Sequence, residues 1–240
     1  MEKHIVANAN ELATEFAEWL IHYIDRVLTK QDRFTLVLSG GSTPRKLYEL
    51  LATEPYQSKI DWKRLHFFWG DERFVPFTDE RNNARMAYNT LLNHVPIVHD
   101  QIHVMRTDLP ADEASVAYEE ILHQYFGTSG PSFDLVLLGL GDNSHTLSLF
   151  PGYPVVHEAE KWVTAFYLEE QQMYRITLTA PIVNRSASIA YLVSGADKAP
   201  AVKAVISGTP DPDLHPAQVI HPTAGGTVHW FLDQPASAEL

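Results

Sequence analysis

The chain has 240 residues, enough for one large α/β domain or two small ones, and 45% of them are hydrophobic, which supports a substantial core and argues against disorder. It contains no cysteine, so disulfides, thiolate nucleophiles and cysteine-ligated metal or iron–sulfur centres are excluded. A formal net charge of −12, from 18 basic and 30 acidic side chains, argues against nucleic acid or an anionic membrane as the principal partner, because both demand a basic footprint.

A small anionic substrate is still allowed, provided a local cluster of cations and backbone amides overcomes the surrounding negative field. No apolar signal-peptide core is visible in MEKHIVANANELATEF, and no run approaches the roughly 18 apolar residues of a membrane span. The expected location is cytoplasmic.

In chain order, Leu12, Phe16, Leu20, Ile24 and Val27 recur at the spacing of an amphipathic helix. Phe34 to Leu38 reads as a buried strand, and SGGSTP then turns the chain into a helix bearing Leu47, Leu50 and Leu51, with Thr43 as N-cap and Pro44 at the first helical position. A strand over Leu65 to Trp69 ends in GDER; Asn82 to Asn93 reads as helix, Ile102 to Met105 as a short strand, and Asp112 to Phe126 as helix. Leu135 to Leu138 is an apolar run of strand length that opens into GLGDNSHTLSLFPG.

Two β-like runs follow, Trp162 to Leu168 and Arg175 to Thr179, then a strand over Ile189 to Ser194 and a helix over Ala196 to Ile206. The stretch from Gly208 to Gly226 is rich in proline and glycine and reads as a surface loop, and TVHWFLD as a last short strand. Strands alternating with helices predict a mostly parallel sheet covered by helices on both faces. No repeat or linker divides the chain, so residues 1–240 are expected to form a single domain.

Three strand-end turns carry chemistry, since ligands of open α/β sheets bind beyond the carboxyl ends of the strands. In the first, Gly40 and Gly41 let backbone N–H groups converge at a helix N-terminus while Ser42 and Thr43 add hydroxyl donors, a combination that suits phosphate; the plainer reading is an ordinary capped turn. In the second, Arg73 offers a planar fork to substrate oxygens, and Asp71 is placed to orient it or to bind a sugar hydroxyl; the plainer reading is a solvated charged loop. In the third, His145 is the candidate general base, since a neutral imidazole accepts a proton from water near neutral pH.

Arg175 and Lys198 stand at strand edges, where each is either a surface charge or half of a phosphate clamp. His99 and His103, four residues apart, have no neighbouring partner set that identifies a zinc site, and no metal is expected.

SGGSTP, WGDER, GLGxxxHTxSLFPG, RITLTAPIVN and SGADKAPAVKAV occur in the order found in 6-phosphogluconolactonases, relatives of the glucosamine-6-phosphate deaminases, and the chain resembles that family from Ser39 to the terminal WFLD. The resemblance implies a doubly wound α/β fold with modified Rossmann-like topology, no cofactor, and hydrolysis of 6-phosphoglucono-1,5-lactone to 6-phosphogluconate in the oxidative pentose phosphate pathway. It implies that Gly40, Gly41, Ser42 and Thr43, with Arg175 and Lys198, hold the phosphate, that Arg73 lies near the sugar, and that His145 is the base. The protein would act as a monomer or homodimer on a small-molecule phosphosugar lactone.

Two alternatives stand beside this. The deaminases resembling this chain carry a glutamate five residues after the histidine, where Phe150 stands here. A non-catalytic phosphosugar-binding regulator is the other, because the family's Asp-Gly before the histidine is replaced by Asn143 and Ser144. Asn143 still accepts a hydrogen bond but carries no charge, Ser144 lacks glycine's freedom at positive φ, and either Asp142 or Asn143 is left to orient His145.

Overall fold

A computed structural model describes residues 1–223 and 225–240. The apolar periodicity of the first segment becomes helix α1 (Ala9–Leu28), whose Leu12, Phe16, Leu20 and Ile24 are buried while Asn8 caps its start. Six strands form the main sheet: β1 (Glu2–Val6), β2 (Phe34–Leu38), β3 (Leu65–Trp69), β5 (Leu135–Leu138), β8 (Ser188–Val193) and β9 (Thr227–Asp233). Their order is β1-β9-β8-β5-β2-β3, with parallel pairing throughout.

Strand residues alternate between two cores, as the pleat requires. Leu36, Leu135, Leu137, Ala190, Leu192 and Phe231 face α1, α2 (Ser42–Leu51) and α3 (Asn83–Thr90). Val37, Val136, Leu138, Ile189, Tyr191 and Trp230 face α4 (Ala111–Phe126), the one-turn α5 (Ala180–Val183) and α6 (Ala199–Ser207). Both faces are therefore covered, which is why these strands read as continuous apolar runs.

A second, antiparallel sheet of order β4-β7-β6 lies on the α4 side, built from β4 (Asp71–Arg73), β6 (Val163–Leu168) and β7 (Met173–Leu178). Sequence alone placed DER in a loop. It becomes a strand because Asp71 pairs with Thr177 and Arg73 with Arg175 across β7.

Other boundaries differ for local reasons. Thr43 is not the N-cap: α2 starts at Ser42 and its cap is Gly41, whose φ of 107° a side chain would resist. The strand expected over Ile102 to Met105 is a single bridge to Phe67; beyond it His103 is held by the Tyr125 hydroxyl and Met105 drops into the second core. Helix α3 stops at Thr90 and gives way to a 3₁₀ turn over Leu92–His94, and a similar turn, Ala196–Lys198, precedes α6. Strand β1 was not expected; half-exposed EKHIV has no clear period of its own, and pairing with β9 decides it.

The proline-rich stretch is not wholly a surface loop. It carries a 3₁₀ turn at Pro216–Val219 with Pro216 and Ala217 buried, and the Ala217 N–H donates to the Ser144 carbonyl at 3.0 Å. Residue 224, also within that stretch, lies outside the described residues.

Candidate active site

Strands β2 and β5 are neighbours whose following connections leave in opposite directions, β2 toward β3 and β5 toward β8, so a crevice opens beyond their carboxyl ends. A cavity of about 220 Å³ occupies it. Gly40 and Gly41 after β2, Asp71 and Arg73 from β4, Gly139, Gly141 and His145 after β5, Arg175 from β7, and Lys198 beyond β8 all line it. The three turns and two isolated cations singled out in the sequence thus reach one space.

The loop after β5 is folded tightly around its histidine. Gly141 accepts a hydrogen bond from Ser144 N–H at 3.0 Å and donates to the His145 carbonyl at 2.8 Å, while Thr146 Oγ1 donates to the Gly139 carbonyl at 2.8 Å. A Cβ at Gly141 would lie 2.0 Å from His145 Nδ1, so only glycine lets the ring sit there. Ser144 does take the positive φ, 64°, that its glycine-free side chain disfavours, and its Oγ meets His215 Nδ1 at 3.1 Å.

The His145 backbone N–H donates to Asn143 Oδ1 at 3.2 Å, and His145 Nδ1 approaches the same oxygen at 2.6 Å. An oxygen that accepts from a backbone N–H is an acceptor for the ring as well, so Nδ1 carries the hydrogen and Nε2 holds the lone pair. Asn143, not Asp142, meets the imidazole; Asp142 Oδ1 accepts from the Asn143 N–H at 3.0 Å. Burial lowers the His145 pKa to about 4, with Arg175 and Lys198 adding to the fall and Asp71 and Asp142 opposing it. The ring lies against Phe150, centroids 4.2 Å apart and planes at 19°.

Asp71, two residues before Arg73 on the same strand face, was expected either to orient it or to bind a sugar hydroxyl, and it does not pair directly with Arg73. Asn83, at the start of α3, stands between them instead: its Oδ1 accepts from Arg73 Nη1 at 2.5 Å, and its Nδ2 donates to the Asp71 carbonyl at 2.9 Å. A Cβ at Gly40 would fall 1.9 Å from Asn83 Oδ1, so the glycine turn makes room for this asparagine. Glu72, on the opposite face of β4, accepts backbone N–H groups of Arg73, Asn83 and Ala84 at 2.7–2.9 Å and ties α3 to the strand. Burial raises its pKa to about 7 despite those amides.

Asp71 turns to Arg175, 3.5 Å away, and accepts from Ser148 Oγ at 2.6 Å. Arg175 is 3% exposed, its Nε has no partner among the described residues, and its guanidinium lies 5.7 Å from the centre of the Phe150 ring. The cavity's polar groups are mainly donors, which suits phosphate and carbonyl oxygens better than a cation.

Gly40 and Gly41 line the cavity, whereas Ser42 lines an adjoining depression with Arg45 and Arg73; Thr43 lines neither. Asn143 acts behind the histidine. Sequence reasoning missed Asn83, Glu72 and Ser148, because an asparagine at a helix start and a serine inside an apolar run give no signal until distant elements meet.

The chain is thus a doubly wound α/β protein with a donor-rich, glycine-edged cavity and an imidazole at its strand ends, a lining that suits small anions. Residues 7–230 match the family model described as glucosamine-6-phosphate isomerases/6-phosphogluconolactonase, and the chain belongs to that family. It is 38% identical over 221 residues to "6-phosphogluconolactonase" of Synechocystis sp., covering 90% of this chain and 89% of that protein. It is 37% identical to "6-phosphogluconolactonase 3, chloroplastic" of Arabidopsis thaliana, over 95% of this chain and 72% of that one. The solved 6-phosphogluconolactonase of Trypanosoma brucei superposes with a TM-score of 0.86 at 27% identity, covering 100% of this chain and 98% of that one.

Proposed function

We propose that this protein hydrolyses the ring ester of 6-phosphoglucono-1,5-lactone to 6-phosphogluconate, a step of the oxidative pentose phosphate pathway, with His145 as general base. The observation that carries the reading is a neutral imidazole, its Nδ1 fixed by Asn143, sharing a cavity with the side chains of Arg175 and Lys198. The names of the relatives supply the substrate class.

In the productive complex, Arg175, Lys198 and the amides of the Gly40–Gly41 turn hold the phosphate, and the unpaired first-turn N–H groups of α2 add positive potential. The anchored phosphate fixes the lactone carbonyl near His145 through binding energy remote from the reaction. His145 Nε2 takes a proton from water as the water oxygen bonds to C1. Charge moves to the carbonyl oxygen, where Arg73, held by Asn83, and the amides after β5 stabilise it. When the C1–ring oxygen bond breaks, the imidazolium returns the proton to that oxygen, and the products are the free hydroxyl and the carboxylic acid, which loses its remaining proton to solvent to become the carboxylate.

Asp71, 3.5 Å from Arg175, supports the imidazolium electrostatically. Burial is the main reason His145 is weakly basic in the free protein; phosphate binding offsets the smaller contribution of Arg175 and Lys198, so substrate raises the basicity of its own catalyst. Phe150 covers the ring at the position where a deaminase needs a carboxylate, which favours hydrolysis over amino-sugar isomerisation.

The test is hydrolysis of freshly prepared 6-phosphogluconolactone, corrected for spontaneous opening, by wild type and His145→Ala. The expected loss is about 10²–10⁴-fold. Equal rates overturn the general-base role. Ammonia release from glucosamine 6-phosphate without lactone turnover would place the protein with the deaminases, and tight ligand binding with neither activity would make it a binding protein.

A further inference from the structure

At the opposite edge of the main sheet from β3, strands β1 and β9 bring Glu2, His4 and His229 together, their ligand-capable atoms lying within 4.8 Å of one another. Parallel pairing sets Glu2 opposite His229 and His4 opposite Phe231, so all three side chains share the face that α1 covers. We propose that this cluster binds one divalent late-transition-metal ion, with zinc as the probe.

His229 is 6% exposed, and its Nδ1 has no hydrogen-bond partner among the described residues. Glu2 Oε2 is 3.0 Å from that nitrogen but is not placed to accept a hydrogen bond from it. His4 Nε2 is also buried and unpartnered, 4.0 Å from the same carboxylate oxygen. Two buried imidazole nitrogens without partners are costly, and one cation between them and the carboxylate satisfies all three. Tetrahedral bonds of about 2.0–2.1 Å put neighbouring ligand atoms about 3.3 Å apart. The observed 3.0 and 4.0 Å lie on either side of that spacing, and Glu2, whose side chain is 60% exposed, is free to adjust.

The surroundings fit a metal site. His4 Nδ1 faces Glu15 Oε1 of α1 at 3.9 Å, and a carboxylate accepting from Nδ1–H would leave Nε2 for the metal. His4 stacks on Phe231 at 4.1 Å, and Trp19 lies 4.7 Å from His229, so an aromatic shell limits water on the inner side. Two imidazoles and one carboxylate select zinc and its neighbours over calcium or magnesium, and leave a fourth position for water on the Glu2 side. Bound metal would clip edge strand β1 to β9. The sequence predicted no metal because His4 and His229 stand at opposite ends of the chain.

The experiment uses the full chain stripped with a chelator, then titrated with zinc and, separately, with cobalt. Wild type is expected to bind one equivalent, to show the intense visible absorption of tetrahedral cobalt, and to gain roughly 5 °C in Tm at a hundredfold excess over Kd. Glu2→Gln, at an exposed position, and Glu2→Gln/His4→Gln should each weaken binding at least tenfold, and the double variant should lose the cobalt spectrum. His157→Ala, which removes an exposed histidine that pairs with Asp213, should change neither. Less than one equivalent in wild type, equal binding by Glu2→Gln, or loss of the spectrum in His157→Ala would overturn the proposal.

Discussion

The backbone N–H of His145 and its ring Nδ1 converge on one atom, Asn143 Oδ1, at 3.2 and 2.6 Å. An uncharged amide thus does the orienting that a carboxylate could do with added charge. Asn143→Asp should keep the geometry and raise the His145 pKa, since an opposite charge this close favours the imidazolium by about one to three pH units. The acid limb of kcat/KM, expected near the free protein's value of about 4, should move up by that amount. An unmoved limb, with the ring still bonded in an NMR titration, would mean that His145 is not the titrating base.

Stability should depend on pH through two groups of opposite sign. His145 titrates near 4 when folded against 6.5 as its ordinary value, so the unfolded chain binds more protons in between, and this contribution is lost as pH falls from 6.5 through 4. Glu72 titrates near 7 when folded against 4.5, so its contribution is full below 4.5 and is lost as pH rises through 7, by about 3 kcal/mol in all. Measured against wild type in urea melts, His145→Gln should gain relative stability on acidification, and Glu72→Gln should gain it as pH rises. Parallel curves for both variants would refute these environments.

Lys198→Gln removes one member of the phosphate clamp and leaves the imidazole in place. Loss of a charge-assisted hydrogen bond, about 1.5–3 kcal/mol, should raise KM for the phosphorylated lactone roughly ten- to a hundredfold. Hydrolysis of unphosphorylated gluconolactone should be unchanged. An equal effect on both substrates would move Lys198 from the phosphate to the reacting ester.

Gly40→Ala tests whether the glycine turn serves Asn83. The added Cβ would sit 1.9 Å from Asn83 Oδ1, displacing the acceptor that holds Arg73. Overpacking of this kind costs about 1–3 kcal/mol, and kcat should fall together with Tm. Asn83→Ala, which frees Arg73 without a clash, should reproduce the kcat loss; if it does not, Arg73 takes no part in stabilising charge.

The fold was readable where burial is two-sided. Phe34–Leu38, Leu65–Trp69 and Leu135–Leu138 are short apolar runs closed by glycine or charge, and the strands occupy those same residues. Where the environment is one-sided or borrowed, reading failed: DER and EKHIV became strands only through pairing partners far along the chain, and Ile102 to Met105 lost its ladder to side-chain contacts.

The residues gathered in the cavity were legible for a similar reason. A glycine turn at a strand end, a histidine beyond a buried strand and a cation where a strand gives way to a helix are local patterns whose meaning follows from where strand ends must lie. Sequence by itself therefore determined the parallel α/β class and singled out Gly40, Arg73, His145, Arg175 and Lys198 as candidates for one site. Tertiary structure alone decided the partners: Asn83 set between Asp71 and Arg73, Asp71 turned to Arg175 and Ser148, Phe150 laid on His145, and His4 brought to His229. Those choices depend on hydrogen-bond directions and on which side chains fill the space between elements, and neither is encoded in the spacing of residues along the chain.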